Sequence, residues 1–311
     1  MDFSHQSVLL HECIQGLQIK SSGKYVDATL GGGGHALEVC NLLGNNGALV
    51  GIDQDKYALA RAAEVLAPVK DRVTLVHDNF RNINDIFKRL NITSADGFLL
   101  DLGVSSFQLD DGDRGFSYQH DAPLDMRMDK QGEGLCAYDV LNTYTQQRLH
   151  EIIATYGEER WAKRIAEFVV KQRHQQPIRT TGELVEVIKK AVPKAARADG
   201  PHPAKRTFQA IRIEVNDELG ILQQSIRDMA ALLSTGGRLC VITFHSLEDR
   251  LVKQTFRELA NPCTCPRELP FCHCQKKPSL VVKHKPIYPS DQEIQENRRA
   301  RSAKLRISEK V

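Results

Sequence analysis

Two carboxylates and a run of glycines are spaced to hold a nucleotide. In Asp27-Ala-Thr-Leu-Gly31-Gly32-Gly33-Gly34-His35, four consecutive glycines join a strand-like segment (Lys24 to Asp27) to a helix-like one (Ala36 to Leu43). Glycine accepts a positive φ and lets a ligand lie against bare backbone. The helix that follows offers unpaired N–H groups to polar ligand atoms. Asp53 ends the apolar segment that starts at Ala48, 19 residues beyond Gly34. An acid at that distance, on the tip of a second strand, suits the hydroxyls of a ribose. Asp101 ends another buried-looking segment, Asp96 to Asp101. The plainer alternatives are a flexible glycine loop and solvated strand-end acids.

Four of the eight cysteines form a second constellation, Cys263-Thr-Cys265-Pro followed by Cys272-His-Cys274. In a reducing compartment clustered thiols favour a metal over a disulfide, and four thiolates would complete a tetrahedral zinc site. Each pair, however, has one intervening residue, whereas zinc knuckles usually have two or more. The preferred reading is a reduced loop with no metal. Cys13, Cys40, Cys136 and Cys240 lie in apolar or helical contexts, as small hydrophobes do.

The elements that carry these residues alternate. After Asp53 a helix is expected from Lys56 to Leu66, a strand from Arg72 to His77, a helix from Ile83 to Leu90 and a strand from Asp96 to Asp101. Such spacing predicts an α/β fold with a doubly wound, mostly parallel sheet of the Rossmann-like kind. The alternation then stops. Residues 107–206 show helix-like segments at Thr145–Tyr156, Arg160–Arg173 and Thr181–Lys190 but no clear strand. They read as an inserted helical domain for substrate recognition, and residues 1–106 and 207–311 as the nucleotide-binding domain. Phe208, Ile211, Val215, Leu219, Leu222, Ile226, Met229 and Leu233 keep the steps of one long helix. A fifth strand follows at Arg238–Phe244, then a helix from Leu247, and the chain ends on strand, short helix and strand. Ligands of open α/β sheets bind beyond the carboxyl ends of the strands. An insertion that leaves the sheet after Asp101 should therefore overhang the ligand.

The 311 residues can bury one large core or two smaller ones, and 41% hydrophobic with 26% charged content is ordinary for a globular protein. No segment approaches the ~20 apolar residues of a membrane helix, and the start of the chain lacks a signal-peptide pattern. A cytoplasmic protein is expected. The net charge of +3 is uneven: residues 275–311 carry ten Lys/Arg against four Asp/Glu, a local +6, which leaves −3 for the rest. A second basic stretch runs from Lys194 to Arg206. Segregated basic segments suggest a polyanionic partner.

Taken together and in order, several segments are recognisable: Asp101-Leu-Gly-Val-Ser-Ser106, Arg114-Gly-Phe-Ser-Tyr118, Pro123-Leu-Asp-Met-Arg-Met-Asp129, Tyr156-Gly-Glu-Glu-Arg160, Thr207-Phe-Gln-Ala-Ile-Arg-Ile213, Phe244-His-Ser-Leu-Glu-Asp-Arg250 and Arg299-Ala-Arg-Ser-Ala-Lys-Leu-Arg306. With Gly31 to His35 they resemble the ribosomal RNA small-subunit methyltransferase H family over nearly the whole chain. The resemblance implies a class I methyltransferase fold with a helical insertion and S-adenosylmethionine as cofactor. It also implies methylation at N4 of a cytidine in the decoding centre of 16S rRNA, with the small ribosomal subunit as partner. It carries cofactor contacts onto Gly33, Gly34, His35, Asp53, Phe80, Asp101 and Gln108. Phe107 stands where many relatives have proline. The Cys-rich segment varies within the family, so the resemblance does not imply a metal, and a homodimer is allowed.

Within that reading, Asp101 puts a carboxylate where the acceptor amine should arrive. It contacts the cofactor, the amine or both. His245, after the fifth strand, is the second catalytic candidate, as proton acceptor. The favoured alternative is that Phe244-His-Ser246 only starts a helix, with Ser246 as its cap. Arg114 and Arg127 suit RNA phosphates or, equally, internal ion pairs. Phe116, Tyr118 and Trp161 suit base stacking or, more often, a core. Competing functions are an NAD-dependent oxidoreductase, from the formal match Gly31-x-Gly33-x-x-Ala36, a non-catalytic rRNA-binding assembly factor, and a DNA cytosine-N4 methyltransferase.

Overall fold

The computed structural model describes residues 7–105, 108–109, 111–130, 132, 134–198, 202–266 and 273–311. Phe107 and Cys272 lie outside the described residues. The chain forms two compact units, Met1–Gly103 with Leu219–Val311, and Val104–Glu218.

The first unit is built on seven strands: β1 (Lys24–Asp27), β2 (Ala48–Asp53), β3 (Val73–His77), β4 (Ala95–Asp101), β5 (Leu233–Thr243), β6 (Leu280–Val282) and β7 (Lys304–Lys310). Their order across the sheet is β3-β2-β1-β4-β5-β7-β6. The pairs from β3 to β5 are parallel, and β7 runs antiparallel to both of its neighbours. The doubly wound, mostly parallel sheet is thus as expected. Side chains alternate between its two faces, as a pleated strand requires. Tyr25, Leu49, Leu99, Cys240 and Ile242 join one core, while Val26, Val50, Phe98, Leu100 and Val241 join the other.

Register sets the heights of the strand tips. Asp27 pairs with Gly51 of β2 and with Leu99 of β4. Asp53 and Asp101 therefore each stand two residues beyond it on the neighbouring strands.

The second unit is helical, as read from the sequence. Its helices at Gln146–Gly157, Ala162–Gln175 and Thr181–Ala191 agree with the expected segments to within two residues. Thr145 and Thr180 start two of them by accepting from Arg148 N and Glu183 N, as N-caps do. Leu149, Ile152, Ile165, Val169, Ile188 and Ile211 form its core. The one long helix expected from Phe208 to Leu233 is two, Lys205–Asn216 and Glu218–Leu232. Asp217 between them takes a left-handed φ of 51°, which ends a helix. The apolar steps of three and four cross this break unchanged, so periodicity alone hides it.

Candidate cofactor-binding site

The glycine turn is stitched to both neighbouring strands. Ala28 N–H donates to Leu99 O of β4 and Leu30 N–H to Ile52 O of β2, each at 2.9 Å. Gly33 caps the helix Gly34–Leu42 with φ 83°, a conformation that L side chains rarely adopt. The first bond of that helix runs from Leu37 N–H to Gly33 O. The N–H groups of Gly34, His35 and Ala36 precede it and point out of the helix start. Gly32 is bare backbone, for a Cβ there would meet nothing within 4 Å among the described residues.

Asp53 braces the turn. Its Oδ2 accepts from Gly31 N at 2.8 Å and its Oδ1 from Asp55 N at 2.8 Å. Burial pushes its carboxyl up to about 6, against the lowering effect of those two bonds. Asp101, at the tip of β4, donates its N–H to Thr29 Oγ1 at 2.6 Å. Its Oδ1 is buried with no hydrogen-bond partner among the described residues. Burial, followed by the charges of Asp27 and Glu248, holds this carboxyl well above the usual carboxylate range.

Asp27 is a member of the site that sequence reasoning did not single out. It is 2% exposed, and its Oδ1 accepts from Thr29 N at 3.2 Å. Burial, with the charge of Asp53 added, pushes it up to about 7. A signal was present, since Asp27, Asp53 and Asp101 all end buried strands. Because β1 lies between β2 and β4 in the sheet, the three carboxylates occupy adjacent strand tips.

The remaining expected positions divide. His35 Nε2–H donates to Val8 O at 3.0 Å inside the protein, and burial lowers its pKa to about 4. Its side chain is committed to packing, so any ligand contact from His35 falls to its backbone. Phe80 opens a 3-10 turn just after β3, half-buried against the apolar core. Gln108 belongs to the other unit, where Ser105 N–H donates to Gln108 Oε1 at 3.0 Å and Gln108 N–H to Ser105 Oγ at 3.2 Å.

His245 itself, rather than Ser246, caps the helix Ser246–Ala260. Its Nδ1 accepts from Glu248 N at 3.4 Å, and the buried Glu248 carboxylate accepts from His245 N at 3.2 Å. An imidazole nitrogen accepts as a hydroxyl would, and Glu248 completes the box from the third helical position. In the helical unit, Arg114 is 1% exposed and donates to the carbonyls of Arg127 and Met128 at 3.1 and 2.9 Å. Arg127 is forked onto Asp125 at 2.8 and 3.0 Å. Both arginines are therefore engaged internally. Phe116 is core, and Tyr118 stacks on His202 with ring centroids 4.6 Å apart.

These residues fit S-adenosylmethionine. That molecule carries a sulfonium and an ammonium, which suit clustered carboxylates. Its ribose suits an acid at the tip of β2, and its carboxylate suits a helix start. A dinucleotide-binding sheet of order 3-2-1-4-5-6 is parallel throughout, whereas here an antiparallel β7 separates β5 from β6. Sheet order, glycine turn and strand-tip acids define a class I S-adenosylmethionine-dependent methyltransferase.

Comparison with known proteins narrows the class. The chain belongs to the MraW methylase family, whose model matches residues 2–311. It is 56% identical over 312 residues to the ribosomal RNA small subunit methyltransferase H of Clostridioides difficile, with the full length of both chains covered. It is 54% identical over 312 residues to the protein of the same name in Brevibacillus brevis, covering 100% of this chain and 99% of that one.

Proposed function

We propose that this chain methylates N4 of a cytidine in the decoding centre of 16S rRNA, acting in the cytoplasm on RNA of the small ribosomal subunit. The RNA class is supported by the name its relatives carry. The observation that carries the chemistry is the buried, unpartnered Oδ1 of Asp101 at the tip of β4.

When bound, S-adenosylmethionine supplies a methyl group already activated on a sulfonium. In this reading Asp53 holds the ribose hydroxyls. The backbone of Gly33, Gly34 and His35 meets the methionine carboxylate. Phe80 completes the cofactor contacts within the sheet unit. The harder partner is the acceptor, because the exocyclic amine of cytosine shares its lone pair with the ring. Asp101 Oδ1 accepts an N–H from that amine. This favours a pyramidal nitrogen and stabilises the positive charge that develops there. Holding the amine in line with the methyl group supplies a further large part of the rate. His245 Nδ1 caps the helix, while its Nε2 is buried with no hydrogen-bond partner among the described residues, so His245 stays the candidate for taking the proton that N4 loses, beside Asp101. The target base must leave its stack to reach the site.

The test is incubation of unmodified small subunits with methyl-labelled S-adenosylmethionine, followed by nucleoside mass spectrometry. Label in N4-methylcytidine of the small-subunit RNA is expected. Label on a ring carbon, a ribose hydroxyl or protein would overturn the reading. Asp101→Asn with normal cofactor affinity and normal turnover would end the catalytic assignment of Asp101.

A further inference from the structure

Away from the strand tips, three cysteines far apart in function from any cofactor contact converge. The sulfur atoms of Cys263, Cys265 and Cys274 all lie within 4.8 Å of one another. We propose that the segment between the helix Ser246–Ala260 and β6 holds a structural zinc ion, with these three cysteines as thiolate ligands.

The distances suit the ion. With Zn–S bonds of about 2.3 Å in a tetrahedral site, ligand sulfurs stand roughly 3.8 Å apart. The one-residue spacing within each pair argued against a knuckle made from neighbours in sequence. Folding changes the question, because Cys274 comes from nine residues beyond Cys265. The ligands are gathered across a loop. A disulfide would use two of the thiols and leave the third beside it, whereas a soft cation uses all three.

The surroundings suit metal ligands. His273 N–H donates to Cys265 Sγ at 3.4 Å, the kind of outer contact that orients and stabilises a metal ligand. Lys276 Nζ donates to Thr264 Oγ1 at 3.3 Å, which ties the residue between Cys263 and Cys265 to the stretch just beyond Cys274. On binding, each thiol gives its proton to solvent and its sulfur lone pair to zinc, with no change of oxidation state.

The segment also needs a clasp. Between Asn261 and Pro278 the described residues form neither helix nor strand. Its neck is closed by Ser279 N–H donating to Leu259 O at 3.0 Å. Irregular stretches such as the described residues 261–266 and 273–278 are commonly held by a metal or a cross-link. Ala260, Asn261 and Pro278 line a cleft of 520 Å³ together with Lys253 and Arg257. The ion would thus order one wall of a basic cleft.

The experiment uses the full chain, purified without metal-affinity resin under reducing conditions. Elemental analysis should find about one zinc per chain, falling below about 0.1 in the double variant Cys263→Ser/Cys274→Ser. Cobalt(II) added to the zinc-stripped wild-type chain should give sulfur-to-cobalt charge-transfer absorption and the intense visible bands of a tetrahedral site. This measurement does not depend on the variant folding. A wild-type chain with reduced thiols that takes up neither zinc nor cobalt would overturn the proposal. So would a double variant that keeps the wild-type zinc content, or a native chain whose cysteines prove to be disulfide-bonded.

Discussion

The N–H of Asp101 donates to Thr29 Oγ1 at 2.6 Å. The bond couples the tip of β4 to the turn that leads into the glycines, so one threonine hydroxyl sets the height of the carboxylate with the unpartnered oxygen. Thr29→Val keeps the shape and removes the acceptor. Leaving the Asp101 N–H unsatisfied should cost about 1–3 kcal/mol, and affinity for S-adenosylmethionine should fall with it. Thr29→Ser should restore both. Urea unfolding and titration calorimetry on the three proteins check this, and a valine variant with wild-type values in both would refute it.

Gly32 and Gly33 are adjacent but constrained for different reasons. At Gly33 a Cβ would sit 3.3 Å from Ala62 Cβ on a backbone with φ +83°. Gly33→Ala should destabilise the fold by about 1–2 kcal/mol through that strain. At Gly32 a Cβ meets open space, so Gly32→Ala should leave stability within about 0.5 kcal/mol of wild type. It should still weaken cofactor binding, because the methyl would occupy space where the ligand approaches. If Gly32→Ala binds S-adenosylmethionine normally, the cofactor does not lie against that residue.

Burial pushes the carboxyls of Asp27 and Asp53 up to about 7 and about 6. A group whose folded value is raised holds its proton more tightly when folded. The stability it contributes is present below about pH 4 and is lost as pH rises to about 7. The ligand-free protein should accordingly be more sensitive to urea at about pH 8 than at about pH 5 through this contribution, and Asp27→Asn should reduce the difference by about 2–3 kcal/mol.

Binding reverses the balance. A cationic ligand favours ionised carboxylates, so uptake of S-adenosylmethionine near pH 6 should release protons. S-adenosylhomocysteine lacks the sulfonium and should release fewer. Calorimetry in two buffers of different ionisation enthalpy measures both, and equal release for the two ligands would count against charge pairing at the strand tips.

Arg114 lies inside the helical unit, bonded to the carbonyls of Arg127 and Met128 with Phe116 beneath its guanidinium at 5.7 Å. Arg114→Ala should destabilise that unit by about 3 kcal/mol through lost charged hydrogen bonds and a cavity. Its effect on RNA affinity should be no larger than unfolding explains. A well-folded Arg114→Ala chain with selectively weakened RNA binding would contradict this placement.

Much of the frame could be read along the chain. β1 and β2 begin and end where the residue pattern put them, and three helices of the second unit fall within two residues of expectation. The tip acids Asp53 and Asp101 were visible because each closes an apolar run. The break at Asp217 was not, since a left-handed residue between two amphipathic helices leaves their periodicity intact.

Strand and helix identity, and with them the two tip acids, follow from the linear order of residues, because apolar alternation and glycine punctuation act between near neighbours. Strand order and loop closure settled the rest. They brought Asp27 between Asp53 and Asp101, turned His245 into a helix cap, buried Arg114 and gathered three cysteine sulfurs within 4.8 Å. Each of these depends on which distant segments pack together, and that is governed by the burial of whole cores rather than by any local pattern.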